Sequence, residues 1–186
     1  MIFGADDGIV VVMTADEYLY ETKETTRPRE LAYSVVREPP APFFRHQAIV
    51  FRIARLLADR TDGLGHIVIA PIDVVLDYDH DLVVQPDILF VSNARASIIH
   101  DQIWGAPDLV VEVLSPGTAA HDRTEKRGWY RQYGVREYWL VDPKERQVTL
   151  VDFTGAFPTE RLVRGGDDAH SIVLPELLVR ASDVFD

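Results

Sequence analysis

Two carboxylates stand where an aliphatic strand should reject them, and a lysine follows at helical spacing. Asp108-Leu-Val-Val-Glu112-Val-Leu-Ser reads as a buried strand with one acid at its centre. Val83-Val-Gln-Pro-Asp87-Ile-Leu-Phe-Val is a second aliphatic strand broken by one acid. An ionised carboxylate buried without a partner costs several kcal/mol, about the whole net stability of a small domain. Something cationic must compensate these two, and a divalent metal shared by Asp87 and Glu112 is the simplest choice. Oxygen donors without cysteine favour Mg2+ or Mn2+ over zinc.

The elements that would carry these groups are legible. Ser115-Pro-Gly-Thr118 is a turn, with Thr118 a plausible helix N-cap. Residues 119–134 then predict a helix, on which Thr118, Asp122, Lys126 and Tyr130 share one stripe at about 100° per residue. Trp129 and Tyr133 fall on the same side, so this stripe faces the sheet, while Arg123, Arg127 and Arg131 face away. A core-facing lysine requires a buried anion, a substrate phosphate or a route outward. Asp122 and Tyr130 read as residues that aim it. Asp87 follows Pro86, which cannot donate to a strand ladder, so an edge or bulge is expected there.

Strand acid, second strand acid, then lysine is the order of parts in the PD-(D/E)XK nuclease superfamily. The wider sequence resembles its Uma-two branch of restriction endonuclease-like proteins. The resemblance is carried by Met13-Thr-Ala-Asp-Glu-Tyr-Leu, Arg45-His-Gln, Ala70-Pro-Ile-Asp-Val and Val84-Gln-Pro-Asp-Ile-Leu-Phe-Val-Ser. It continues through Gly105-Ala-Pro-Asp-Leu-Val-Val-Glu-Val-Leu-Ser-Pro, Asp122 with Lys126, and Gly134-Val-Arg-Glu-Tyr-Trp-Leu-Val-Asp-Pro. It implies a restriction-endonuclease-like α/β (α+β) fold, a mixed central β-sheet flanked by α-helices, acting as a Mg2+-dependent endonuclease on DNA. Asp87 and Glu112 would be metal ligands, Lys126 the third catalytic residue, and Glu30 a glutamate that completes the site. Two departures stand out. Leu114 occupies the superfamily's usual lysine position, so the lysine has moved to the following helix. The family's Asp-Gly-Glu hairpin has no counterpart in Glu30-Leu-Ala-Tyr-Ser-Val-Val-Arg37, where Val35 stands in place of the second acid.

Composition bounds the rest. With 186 residues, 47% apolar and no cysteine, the chain suits one cytoplasmic domain without disulfides. Residues 1–12 read as an N-terminal extension and 13–186 as the domain, with Met13 an alternative start. No apolar run is long enough to span a membrane. The net charge of −11 opposes a long-range grip on nucleic acid. Residues 43–60 and 121–136 nevertheless each carry a local +3, either as ordinary solvated helix faces or as the borders of a phosphate groove. Arg45, Arg52, Arg123 and Arg127 are the candidate DNA contacts, and a homodimer would juxtapose two such patches.

Remaining expectations concern elements and lesser candidates. Thr14-Ala-Asp-Glu17 is a capping box opening a helix to about Glu24. Glu30–Arg37 reads as one strand, and 44–62 as the best helix, with Ile49, Val50, Ile53, Leu56 and Leu57 on one arc. Segments 66–70 and 72–76 read as one strand kinked at Pro71, and 82–92 as another. Residues 137–141 and 147–151 form a hairpin, and the tail holds peripheral strands. Asp73 divides evenly between a ligand and a strand-end cap. His46 is read first as a core histidine, with a site-facing role as the alternative. Against the nuclease stands a different class, a retired nuclease fold serving binding or assembly; the missing acid at Val35, the displaced lysine and the acidic charge favour it, and the intact Asp87, Glu112 and Lys126 oppose it.

Overall fold

The computed structural model describes residues 2–3, 9–21 and 28–186. A six-stranded mixed sheet runs in the order Thr159–Arg164, Gln147–Asp152, Glu137–Asp142, Leu109–Val113, Ile88–Ser92, Gly65–Ile69. Leu109–Val113 and Glu137–Asp142 are its one parallel pair. Parallel neighbours need a crossover, and the helical segment between them supplies it. A second, five-stranded sheet runs Val35–Arg37, Glu30–Ala32, Leu82–Val84, Val74–Asp77, Ile103–Trp104. Among the described residues no helix is long and apolar enough to cross a membrane.

Period-two alternation decides what covers each face of the larger sheet. Ile88, Phe90, Leu109, Val111 and Val113 point to one side, where Ile49, Val50, Ile53 and Leu57 of helix Phe44–Thr61 pack on them. Leu89, Val91, Val110 and Leu114 point to the other, against Trp129, Tyr130 and the inner side chains of the second sheet. Glu112, between Val111 and Val113, therefore belongs to the second face.

Prolines separate the two sheets, and here two sequence expectations are corrected. Segment 82–92 is two strands, Leu82–Val84 in the smaller sheet and Ile88–Ser92 in the larger, divided at Gln85-Pro86-Asp87. Segment 66–76 likewise divides at the cis Ala70–Pro71 bond into Gly65–Ile69 and Val74–Asp77, which lie in different sheets. A proline cannot donate into a ladder, so pairing stops there and the chain is free to change sheets. The edge expected at Asp87 is this crossing point.

Glu30–Arg37 is also corrected, from one strand to a hairpin. Glu30–Ala32 pairs with Val35–Arg37 through Tyr33 and Ser34, both left-handed at φ 51° and 68°. Two successive positive φ values are what a tight hairpin of type I′ demands, and glycine or asparagine usually meets the demand. Here Ser34 Oγ donates to Asp81 Oδ2 at 2.6 Å, and the Tyr33 ring meets Trp129 edge-on. The family hairpin persists without its glycine. Val11, Val12 and Met13 pair with it from the other side.

The capping box forms as read. Thr14 N donates to Glu17 Oε2 at 2.7 Å and Glu17 N to Thr14 Oγ1 at 3.2 Å. The helix it opens is described through Glu21, and the rest of the expected span to Glu24 lies outside the described residues. The 137–152 hairpin also forms. The tail joins Thr159–Arg164 to the large sheet and closes with a short helix, Ala181–Phe185, whose Val184 and Phe185 enter the core beneath helix Phe44–Thr61.

The edge strand Gly65–Ile69 depends on a close approach. A Cβ on Gly65 would lie 2.3 Å from Val91 O and 2.6 Å from the Phe90 ring. Gly65→Ala is expected to destabilise the protein by about 3 kcal/mol, at the upper end for overpacking. Gly166→Ala, in open space, should stay within about 0.5 kcal/mol. Denaturant titration of the two variants checks this.

Candidate active site

Ile88 lies opposite Val111 in the antiparallel register, and one further step sets Asp87 opposite Glu112. Directly opposed residues of an antiparallel pair hold their Cβ atoms about 4.5–5.5 Å apart on one face. The two acids read from sequence are therefore cross-strand neighbours. Asp87 Oδ2 accepts from Val113 N at 2.8 Å and lies 3.2 Å from His46 Nε2. Glu112 Oε1 accepts from the Tyr130 hydroxyl at 2.8 Å and lies 2.5 Å from Lys126 Nζ.

Lys126 reaches this point from the crossover helix, built of Ala119–His121, Asp122–Lys126 and Arg127–Tyr133. The middle stretch is wound more widely, with i→i+5 bonding, a local device that recurs at functional sites. The Tyr138 hydroxyl donates to Asp122 O at 3.1 Å, satisfying a carbonyl of the widened turn. Lys126 is only 4% exposed. Its Nζ lies 2.8 Å from Glu30 Oε1 and 3.9 Å from Asp122 Oδ1. The inward stripe is as read, with Arg123, Arg127 and Arg131 outside.

One ammonium thus faces three buried carboxylates, and the acids respond unequally. Burial alone would raise Glu30, but Lys126 and His121 hold its carboxyl down to about 2. Burial pushes Glu112 well above the usual carboxylate range despite the lysine, with Asp122 and Asp87 adding negative field. Asp122 is raised by burial too. Burial opposes the Lys126 cation, yet Glu112, Glu30 and Asp122 outweigh it and hold the lysine protonated well above its ordinary range. Two other buried acids show the contrast. Glu137 accepts from Trp139 Nε1, Ser171 Oγ, Ile172 N and Val173 N, and Asp108 accepts from Ser92 N and Arg95. Those are satisfied structural acids, whereas the Glu112 cluster holds surplus negative charge.

The remaining predicted residues fall into three groups. Glu30 and Asp122 are in the cluster, and Tyr130 grips Glu112 rather than aiming the lysine. His46 sits with the site rather than the core. Burial disfavours its cation, but the Asp87 carboxylate outweighs this and raises its pKa. Asp73 stands one step away, accepting from Gln85 Nε2 at 2.9 Å while Gln85 N donates to Glu30 Oε1 at 3.0 Å. The four arginines are not brought to the cavity over the cluster. Arg123 is 2.7 Å from Asp142 Oδ2, Arg127 is 2.5 Å from Glu160 Oε1, and Arg45 donates to Pro143 O. The first two project from the helix face opposite Lys126, which is why acids of the neighbouring strands meet them.

His121 was not legible as a site residue. Its Nδ1 lies 2.5 Å from Glu125 Oε2 and its Nε2 3.6 Å from Glu30 Oε2. In a regular helix residues five apart sit about 140° apart around the axis. The widened turn brings His121 towards the Lys126 side, and only the structure reveals that turn. Glu125 in turn binds Arg37 at 3.1 Å.

Glu30, His46, Asp87, Glu112, His121, Asp122 and Lys126 line one cavity of about 630 Å³. Glu30, Glu112, Asp122 and Lys126 are its buried charged residues, and Pro39, Pro40, Pro42, Phe43, Pro116 and Gly117 also line it. A profile of the Uma2 family, described as "Putative restriction endonuclease", matches residues 16–178. The chain belongs to the Uma2 family. An uncharacterised protein, sll1609, of Synechocystis sp. PCC 6803 is 24% identical over 139 residues, covering 70% of this chain and 75% of that one. A crystal structure from Anabaena variabilis ATCC 29413, titled a "putative nuclease belonging to DUF820", superposes with a TM-score of 0.80 at 21% identity. It covers 93% of this chain and 97% of its own, so the Uma2 fold is shared nearly end to end.

The fit of a metal to this Uma2 site can be tested on its donors. Asp87 Oδ1 and Glu112 Oε2 enter no hydrogen bond among the described residues. Among those residues no group of three or more His, Cys, Asp or Glu side chains is arranged around an ion position. Two hard carboxylate oxygens do fit a cation that keeps most of its water, as Mg2+ does.

Removing the lysine exposes the charge imbalance. Lys126→Met is expected to lose about 3–5 kcal/mol at pH 7, the usual cost of leaving buried charges unpaired. Glu112 and Asp122, already raised by burial, would rise further, and Glu30 would lose the main charge that holds it down. Stability should be present at low pH and fall as pH rises through those raised values. Urea denaturation at pH 5 and pH 8 should show the variant's deficit smaller at pH 5.

Proposed function

We propose that this chain hydrolyses phosphodiester bonds of DNA as a divalent-metal-dependent endonuclease. The observation that carries the reading is the meeting of Asp87 and Glu112 with a buried lysine on one cavity floor. Membership of a family described as restriction endonucleases agrees with it. Asp87 Oδ1 and Glu112 Oε2 would hold Mg2+ or Mn2+, which supplies Lewis acidity and a water of lowered pKa.

The chain's own residues do the rest. Lys126 is the cation for charge developing on the scissile phosphate, and burial strengthens that interaction relative to water. Glu30 keeps the ammonium in place when it turns from Glu112 to the phosphate. Tyr130 orients Glu112 through the oxygen that faces the lysine. Val113 N and His46 fix Asp87 through Oδ2, leaving Oδ1 towards the cavity. Arg37, at the mouth and 43% exposed on its side chain, offers positive charge to a neighbouring phosphate.

One observation favours the second reading, a retired nuclease fold. Lys126 sits 2.5 Å from Glu112 and already neutralises part of the charge a metal would need. The two readings differ in linkage. In the active reading, millimolar Mg2+ or Mn2+ raises the melting temperature, because it binds only the folded site. Glu112→Gln should raise the melting temperature without metal at neutral pH, abolish the metal-dependent shift and abolish plasmid nicking. Identical wild-type melting curves with and without metal, and no nicking, would establish the retired reading.

A further inference from the structure

The cavity is poorly shaped for an intact duplex. Its floor residues Lys126 and Glu112 are each only 4% exposed. Its roof is partly closed, since a Cβ on Gly117 would lie 3.4 Å from Cγ of Pro40 across the opening. Pro39, Pro40, Pro42, Pro71 and Pro116 make much of its wall, and proline rings hold a wall stiffly. A cavity of about 630 Å³ is the size that encloses a small organic ligand. A double helix would meet this rim before its backbone reached Lys126. The candidate arginines Arg45, Arg52, Arg123 and Arg127 give a duplex no help here, for none of them lines the cavity.

The rim is instead suited to an unstacked base. Phe43 is 73% exposed and, unlike the still more exposed Phe44 beside it, lines the cavity. It sits at the end of the Glu38-Pro39-Pro40-Ala41-Pro42 run, so its backbone is held by the wall and by the helix it precedes. Arg37 at the mouth, paired with Glu125 but 43% exposed on its side chain, and Lys126 at the floor are the cations that line the cavity. An exposed aromatic ring sharing a cavity with cations is the pairing by which proteins hold single strands, with bases on the ring and phosphates on the cations.

We infer that the site takes an unpaired nucleotide strand, as a single strand or a nucleotide displaced from its helix, with Phe43 stacking on a base beside the scissile phosphate. This deepens the phosphodiesterase reading and rests on it. Entry is easiest where stacking is already lost, so a frayed end, a bulge or a single-stranded stretch is the substrate class, and paired DNA is admitted only after local opening.

Fluorescence anisotropy tests this with a labelled single-stranded 12-mer, the same sequence as a duplex, and an abasic single strand of equal length. The Glu112→Gln protein is used to prevent cleavage. The single strand should bind at least ten-fold more tightly than the duplex. Phe43→Ala should weaken single-strand binding by about 5- to 100-fold, the range that loss of one stacked base gives, and should leave the abasic strand unchanged. Phe43→Tyr, which keeps the ring, should restore affinity and shows that the fold is intact. Duplex binding equal to or tighter than single-strand binding, or indifference to Phe43→Ala, would overturn the inference. If the wild type also nicks duplex DNA under those conditions, the nuclease reading survives that failure. Absence of binding to all three, together with no nicking, would sink both.

Discussion

The structure turns on one ammonium group set among more negative charge than it can neutralise. Lys126 Nζ stands between Glu30 and Glu112 with Asp122 behind, all four nearly inaccessible to water. A buried ion pair gains little over apolar packing, since desolvating both charges offsets their attraction. Three acids on one lysine are worse still, and the cluster persists because the crossover helix and two strands hold it rigidly. Such an arrangement is poor as a device for stability. It is a good one for receiving a dication, because that ligand completes a charge balance that the protein leaves open.

Holding the cluster is the business of the sheet junction. Asp87 and Glu112 are opposed at the place where the larger sheet ends and Pro86 sends the chain into the smaller one. Glu30 arrives from that smaller sheet, tied by Gln85 N, so both sheets contribute an acid to a single floor. Lys126 and Asp122 come from the helix that connects the parallel pair of the larger sheet. His46 comes from the helix on the opposite face and reaches Asp87 only because both sit at the sheet's end. A site assembled at such a junction is walled by the loops that leave it, and these are the proline runs around the cavity.

Much of this was legible in the chain. Aliphatic strands interrupted by single acids can be read because burial makes those acids costly. The Asp122, Lys126, Tyr130 stripe can be read because aromatics identify a helix's inner face. The illegible parts have physical causes. Segment 82–92 looks continuous by hydrophobicity, and nothing in its pattern says that its halves pair in different sheets. The Tyr33-Ser34 turn lacks glycine, so its left-handed residues are supported by Asp81 and Trp129, partners distant in sequence. His121 joins the site through a widened turn that a fixed helical period cannot describe. The arginines were misplaced because local net charge carries no information about the acids that strands bring to meet it.

We propose Asp87 and Glu112 as the metal site of this cluster. The most direct measurement is a crystal structure of the protein in Mn2+, with the ion located by its anomalous scattering. One strong peak is expected within bonding distance of Asp87 Oδ1 and Glu112 Oε2, with Lys126 Nζ drawn away from Glu112 and still held by Glu30. An anomalous map with no peak at these carboxylates, and Lys126 unmoved between Glu30 and Glu112, would contradict it.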